Sequence, residues 1–372
     1  MRLNMYSSPA FDTDILNKFK KVNRLILIGN GFDIAHGLKS SFKDFIESYC
    51  LETLQQFLHA FRFEDQIVLI NSGSGISKIE ADLNMLNLDN SLDEFLKLKN
   101  HSQIKLRFKS RFFEAVLNNV SEKKWVDIEI QYFDFLKRAL NDNDAISSLN
   151  KDFEFIKMRF LDYLRKQVEK LDFRHDDKIL SQFALPILKG ETIPYTIVED
   201  MHPDTTCILN FNYTTIAENY SKLIDSSIYI PIHGNINGDG LKSQEPIFGF
   251  GDDMDTDFEK FELHDNEEIF KNIKSFKYLQ FGHYRNLIDF IESNPYQIHI
   301  YGHSCGLSDR TLLNTIFENK NCISIKPFYY KEDGLDDYER KNYAISRHFK
   351  SKSELRIKVV NKVDCEPMFQ PQ

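Results

Sequence analysis

Four short stretches carry the residue types from which a reaction site can be built. Gly29, Asn30, Gly31 and Asp33 follow the apolar run of residues 24–28. Asn210 and Asn212 close "CILNFN", and His233, Gly234, Asn235 and Asn237 end or follow "SIYIPIHG". Gly302, His303, Ser304 and Asp309 end or follow "QIHIYG". Each apolar run reads as a buried strand, and open parallel sheets bind ligands just beyond the carboxyl ends of their strands. Four strand ends are therefore expected to converge on one site. The glycines of "GNGFDIAHG" (Gly29, Gly31, Gly37) permit either a tight turn or a close backbone approach to a phosphate at the following helix N-terminus. Their spacing is not the dinucleotide fingerprint and no Lys-Ser/Thr follows, so a nucleotide loop and a plain turn both fit.

"GHSCG", residues 302–306, fits the G-x-S-x-G turn of a hydrolase nucleophile, with Asp336 or Asp337 and His348 following in triad order. Against that reading, the strand is the fourth or later in the sheet, and no hydrolase-type oxyanion loop is evident. The glycine loop after the first strand is instead the habit of nucleotide folds. Ser304 is accordingly read as a ligand contact. His233 is either a turn histidine bonded to a carbonyl or a functional base, and its company with Asn212 and the glycine loop favours the second. Asp33 either caps a helix or holds a hydroxyl or water. His36, His233 and His303 suggest a metal site, but they match no ligand spacing and no metal is expected. Asp127 and Glu129, at i and i+2, do not share a helix face, so one of them at most is expected to enter a cleft. Gly249 and Gly251 border the ligand or form a simple turn, with Asp252 and Asp253 exposed nearby.

The elements that must position these residues alternate. Strand-like runs at 24–28, 207–212, 227–234, 297–302, 322–330 and 354–360 are separated by helical patterns at 213–223, 266–293, 309–318 and 336–349. This pattern predicts an α/β fold with a doubly wound, mostly parallel, Rossmann-like sheet. A helix is expected from about Ser40, capped by Ser40 or Ser41. Between these parts, aromatics and leucines recur at helical periods near 91–119, 125–140 and 146–171. The expected division is a core of residues 1–58 and 195–372 around a helical insertion of residues 59–194.

A 372-residue chain with 42% hydrophobic residues can bury a large core. No run is long and apolar enough to span a bilayer, and "MRLNMYSSPAFDTD" has acids where a signal segment would be apolar, so a cytoplasmic protein without membrane contact is expected. The five cysteines are scattered and form no C-x-x-C pair, so neither a disulfide framework nor a zinc ribbon is suggested and reduced thiols are expected. A net charge of −9 argues against general nucleic-acid binding, and the basic "KLRFKSRFF" (105–113) reads as the solvated face of an amphipathic helix.

"RLILIGNGFDIAHGLKSSFKDFI", "WVDIEIQYFDFL", "LNFNYT", "IHGNING" and "IYGHSCGLSD" together resemble the AbiH family of bacterial abortive-infection proteins, across roughly residues 22–320. The resemblance implies defence against bacteriophage. A more distant resemblance is to the sirtuin-type nucleotide-binding domain. Its G-A-G-x-S-x-x-x-G-I-P loop is matched in glycine spacing, with Asp33 at the serine position and Lys39 at the proline. Its T-x-N-Y/W-D motif is matched at Asn212 and Tyr213, with Thr214 where the acid stands. Its H-G motif is matched by His233 and Gly234, and its G-x-S-x-x-x-D strand end by Gly302 and Ser304, with Asp309 one position beyond the acid.

This second resemblance implies that NAD or a related dinucleotide is the substrate, cleaved at its N-glycosidic bond. His233 would be the base or ribose contact, and Asn212 would orient the ribose or the water. Gly29, Asn30 and Gly31 would cradle the diphosphate, with Asp33, Gly234, Asn235, Gly302, Ser304 and Asp309 around the ligand. Glu129 would reach the site from the insertion. A phage-derived activator and a homo-oligomer stay open as partners. So do three other functions: a metal-dependent nuclease or phosphodiesterase, a Ser304 hydrolase, and a non-enzymatic phage sensor.

Overall fold

The computed structural model describes residues 21–72, 88–121, 127–194, 196–237 and 246–370. The N-terminal stretch read for a signal segment and Trp125 of "WVDIEIQYFDFL" lie outside these residues. The described chain begins with β1 (Asn23–Ile28), the short helix α1 (Asn30–Ala35) and the long α2 (Phe42–Ala60). It then passes through β2 (Arg62–Glu64), β3 (Val68–Ser72), α3 (Ser91–Lys97), β4 (Ile104–Phe108), α4 (Arg111–Ser121), α5 (Ile128–Ala139) and α6 (Asn143–Glu169). After α7 (Asp177–Phe183) come β5 (Thr206–Asn210), α8 (Ile216–Ser221), β6 (Ser227–Pro231), α9 (Phe258–Glu262), α10 (Lys274–Tyr278) and α11 (Gly282–Ser293). The last elements are β7 (Tyr296–Tyr301), α12 (Arg310–Phe317), β8 (Cys322–Phe328), α13 (Tyr338–Ser346) and α14 (Lys352–Lys358).

Five strands form one sheet in the order β6-β5-β1-β7-β8, and every neighbouring pair is parallel. The α/β expectation is met. Alternation along β1 feeds two separate cores. Leu25 and Leu27 face Leu287 and Ile291 of α11 and Leu313 and Ile316 of α12. Ile26 and Ile28 face Phe32, Phe183 and Tyr220. With helices on both faces, every strand of the sheet but the edge strand β6 is buried on both sides, which is why they read as apolar runs rather than as alternation. Successive strands build outward from β1 in one direction and then the other, so the order reverses between β1 and β7. That reversal leaves a crevice at the carboxyl ends.

A third core gathers α2, α4, α5 and α6 and also takes in Phe248, Phe250, Phe261 and Ile273 from the segment after β6. The helix expected near Ser40 starts as read. Ser41 accepts from the Asp44 N–H and Asp44 reaches back to the Ser41 N–H, a reciprocal cap that stabilises a helix start by about 1 kcal/mol.

Several sequence expectations need correction. Residues 59–194 are not purely helical: β2, β3 and β4 form an antiparallel sheet. "KLRFKSRFF" is therefore the end of β4 and the start of α4, because Ile104, Leu106 and Phe108 alternate with exposed Lys105 and Arg107. The run 354–360 is not a strand but mostly α14, capped by the Ser351 hydroxyl, which accepts from the Glu354 N–H. Val359, just past its end, pairs with Ile325 of β8 through one isolated bridge. The helix expected over 266–293 is broken into a 3-10 turn (Glu267–Phe270), α10 and α11. The helix expected over 213–223 shrinks to α8, because 211–215 form the turn that carries Asn212.

Candidate functional site

The β1 and β7 loops are pressed together, and that contact explains their glycines. A side chain on Gly29 would meet the His303 Cα at 2.4 Å, and one on Gly302, whose φ is +74°, would meet the Phe32 nitrogen at 2.3 Å. The Gly31 N–H donates to the Gly302 carbonyl (2.9 Å), the Phe32 N–H to the Gly29 carbonyl (2.9 Å) and the Gly29 N–H to the Tyr301 carbonyl (3.3 Å). The amides expected to cradle a diphosphate are thus already engaged at Gly29 and Gly31, and the Asn30 side-chain oxygen accepts from the Ser40 hydroxyl. The loop forms a floor under the strand ends rather than an open anion nest.

Asn210 shapes the β5 end. Its amide nitrogen donates to the Asn212 and Thr214 carbonyls, and its oxygen accepts from the Asn212 N–H. The turn so formed sends the Asn212 amide to the Gly29 carbonyl (3.0 Å) and the Thr214 hydroxyl to Asp33 Oδ2 (2.7 Å). Asp33 is 1% exposed and its Oδ1 has no hydrogen-bond partner. Burial raises its carboxyl pKa to about 7, with Thr214 and Asn212 pulling the other way.

His233 closes β6. Its Nδ1 lies 3.1 Å from the Phe211 carbonyl, which can only accept, so Nδ1 carries the hydrogen. In the neutral ring Nε2 is then the bare nitrogen. It accepts from the Tyr278 hydroxyl at 3.0 Å and lies 3.3 Å from Asp309 Oδ1. Burial, assisted by Lys274, lowers the His233 pKa, so the imidazole is neutral near pH 7. A proton gained at Nε2 would face the Asp309 carboxylate directly.

Asp309 is held ionised although burial opposes it, chiefly because the Lys274 ammonium favours the charged form. The Lys274 ammonium donates to Asp309 Oδ1 (2.8 Å) and to Glu129 Oε2 (2.7 Å), and Glu129 Oε1 accepts the Gly249 N–H (2.9 Å). Burial lifts Glu129 to about 7 against the pull of Lys274. Lys274 itself rises above the ordinary lysine value because the two carboxylates outweigh its burial. His303 Nε2 is 3.8 Å from Asp309 Oδ2, and burial drops its pKa to about 3.

Asp127 and Glu129 divide as their spacing required. Asp127 caps α5 through Oδ1 and takes the Ser308 hydroxyl on Oδ2, while Glu129 enters the cluster. Gly249 and Gly251 are close-packing positions: side chains there would meet the Asn272 carbonyl at 2.0 Å and the Ser308 carbonyl at 2.9 Å. Asp252, read as exposed, is buried and pairs with Arg310.

The other sequence candidates fall elsewhere. Ser304 is exposed, pointing away from its neighbours His303 and Cys305, which are buried. His348 donates to the Cys305 carbonyl (2.9 Å), Asp336 pairs with Lys362 and Asp337 lies by Lys341, so these residues form no triad with Ser304. His36 bonds to the Phe32 carbonyl and the Tyr220 hydroxyl, away from the cluster. Among the described residues, no group of three or more His, Cys, Asp and Glu is placed to hold a metal ion. The cation of this cluster is the Lys274 ammonium. No described helix is long and apolar enough to cross a membrane. Lys274 and Tyr278 were missed because "KNIKSFKYLQ" reads as solvent-facing helix, and only long-range packing turns both inward.

A cleft of about 710 Å³ beside the cluster is lined by Asp253, Glu259, Glu262, Ser275, Phe276 and Leu279 among others. It contains none of the strand-end residues. The sequence profile of a family described as "Bacteriophage abortive infection AbiH" matches residues 25–331. No curated protein and no solved structure matches the chain.

Proposed function

The chain belongs to the AbiH family of bacteriophage abortive infection proteins, and from that premise we propose a cytoplasmic antiphage effector that binds a nucleotide at its strand ends and hydrolyses NAD or a related dinucleotide. The sheet order, reversing between β1 and β7, supports a Rossmann-like crevice at that point. The observation that carries the proposal is His233: Nδ1–H fixed on a carbonyl, Nε2 bare, and the Asp309 carboxylate 3.3 Å away. This is the arrangement of a general base whose imidazolium is stabilised as it forms.

In the proposed step the bond from ribose C1′ to the nicotinamide nitrogen breaks and its electron pair neutralises the pyridinium. Water adds to the oxocarbenium-like C1′ and gives its proton to His233 Nε2. Asp33 Oδ1, lacking a protein partner, accepts a ribose hydroxyl or orients the water, and Asn212 holds that wall to the glycine floor. The sirtuin-like resemblance gains support from its own departures. Asp33 stands at the serine position and Thr214 at the acid position, and the two side chains are bonded to each other at 2.7 Å, as an exchange of carboxyl and hydroxyl between the two positions would require. The burial of His233 and Asp309 also favours the sensor reading, in which the cluster does no chemistry.

Purified protein incubated with NAD, with and without extract of phage-infected cells, separates the two. Release of nicotinamide supports the hydrolase. Its absence under both conditions, with phage protection intact in a His233→Ala strain, leaves the sensor.

A further inference from the structure

His233 is 3% exposed and Asp309 8%, so a nucleotide cannot reach Nε2 in this arrangement. Phe211, Tyr213 and His303 cover the pair from the strand ends, and on the remaining side two polar groups of one five-residue helix, α10, close it. Lys274 and Tyr278 stand at its first and last positions, spaced i, i+4 and therefore on one face. Lys274 occupies Asp309 Oδ1 and Tyr278 occupies His233 Nε2, with the two rings stacked at an interplanar angle of 5°. The opposite face, with Ser275, Phe276 and then Leu279, lines the 710 Å³ cleft. A single turn of helix is thus the wall between a buried reactive pair and an open cleft.

We propose that α10 is a door closed by Lys274, and that its outward movement into the cleft exposes His233 and Asp309 to substrate. The geometry favours this over a purely structural wall in three respects. The helix is too short to be stable alone and holds its place through tertiary contacts. On the amino side its main chain is anchored to Phe250 by two hydrogen bonds, the Lys274 N–H on the Phe250 carbonyl and the Phe250 N–H on the Asn272 carbonyl, which leaves a fixed pivot there, and its carboxyl side runs to Gly282, where an added side chain would meet nothing within 4 Å. The inner face is held by the Lys274 ion pairs and by Tyr278, which bonds His233 through its hydroxyl and packs its ring on Tyr284 and the apolar core, and Lys274 bonds at once to Glu129 of α5 and to Asp309 beyond β7. The door therefore registers the position of α5 relative to the sheet, and a partner that displaces α5 would open it.

The door rests on the reading that His233 and Asp309 are the working pair, but its test does not depend on turnover. In the full-length protein, amide hydrogen exchange of residues 272–282 is compared with that of β1, β5 and β7, together with diethylpyrocarbonate modification of His233. Lys274→Met is expected to raise exchange in 272–282 by about ten-fold or more without loosening the strands, and to increase modification of His233. Glu129→Gln, which removes one of the two pairs and keeps the shape, is expected to give a smaller rise and decides the matter if Lys274→Met does not fold. Unchanged exchange in 272–282, or a rise shared equally by the strands, overturns the door. Opening without nicotinamide release supports the door and contradicts the hydrolase.

Discussion

Two clusters of buried charge sit on the same sheet. At the strand ends, Glu129, Lys274, Asp309, His233 and His303 form the cluster already described. On the sheet's face, Lys326 pairs with Glu191 at 2.6 Å, and Gln297 bridges Glu191 to Arg24, with Ser324 donating to the Glu191 carbonyl. Arg24 also donates to the Phe183 and Leu185 carbonyls, so this second cluster ties the irregular chain after α7 to the strands. Its side chains rest on main-chain, amide and carboxylate partners, and burial lowers the Arg24 pKa to about 9 against the pull of Glu191. His299 beside it stays neutral, its pKa driven well down by burial and by Arg24 and Lys326. The strand-end cluster instead joins a carboxylate to an imidazole whose second nitrogen can gain a proton. Buried charge alone does not mark a site; position at the carboxyl ends and a group free to change protonation do.

This contrast can be broken by substitution, and the largest effect is expected away from the site. Glu191→Ala leaves Lys326 and Arg24 buried without their carboxylate and should cost about 3–5 kcal/mol in denaturant unfolding, whereas Ser324→Ala should cost about 1 kcal/mol.

At the strand ends the Asp33–Thr214 pair offers a sharper test. Asp33→Ser and Thr214→Asp singly should each lower nicotinamide release by about 10–100-fold, and the double exchange should recover most of it, an interaction of roughly 1–3 kcal/mol. Independent, additive losses would deny that the carboxyl and hydroxyl act as a pair.

Asp33 also predicts a pH dependence. Its folded value of about 7 lies above the unfolded carboxylate value, so the native state binds the extra proton. Its contribution to stability is present at low pH and is lost as pH rises through about 4 to 7. Asp33→Asn removes that loss, so the variant should gain on the parent protein by on the order of 1–3 kcal/mol between pH 4 and pH 8. A difference in Tm that does not vary with pH would show the carboxyl to be normal. The smallest effect belongs to Ser304→Ala: an exposed hydroxyl outside any triad should change turnover by less than about two-fold, with no labelling of Ser304 by a fluorophosphonate.

The sheet was legible because burial on both faces writes each strand as an apolar run bounded by polar turn residues, as at Leu25–Ile28 and Ile298–Tyr301. The start of α2 was legible from the chemistry of Ser41 and Asp44. The small antiparallel sheet was not, because Ile104, Leu106 and Phe108 lie among aromatics whose spacing also suits a helix. Most of the strand-end cluster was legible for the same reason as the strands: His233, His303 and Asp309 stand next to them, as do Asn212 and Asp33 of the adjoining wall. Lys274 was hidden because a lysine in a polar stretch is ordinarily solvated, and only two carboxylates brought from sequence-distant elements make its burial tolerable. The glycines of the β1 loop were visible, but their cause, contact with Gly302 and His303, is tertiary and leaves no local trace.

The most direct test places the two clusters side by side in one assay. Nicotinamide release from NAD is measured for the parent protein, His233→Ala and Glu191→Gln, each first shown to be folded by circular dichroism at the assay temperature. The predicted result is a loss of at least about 100-fold for His233→Ala, with Glu191→Gln retaining turnover in proportion to its folded fraction. Full turnover by folded His233→Ala would contradict the assignment of the reaction to the strand ends.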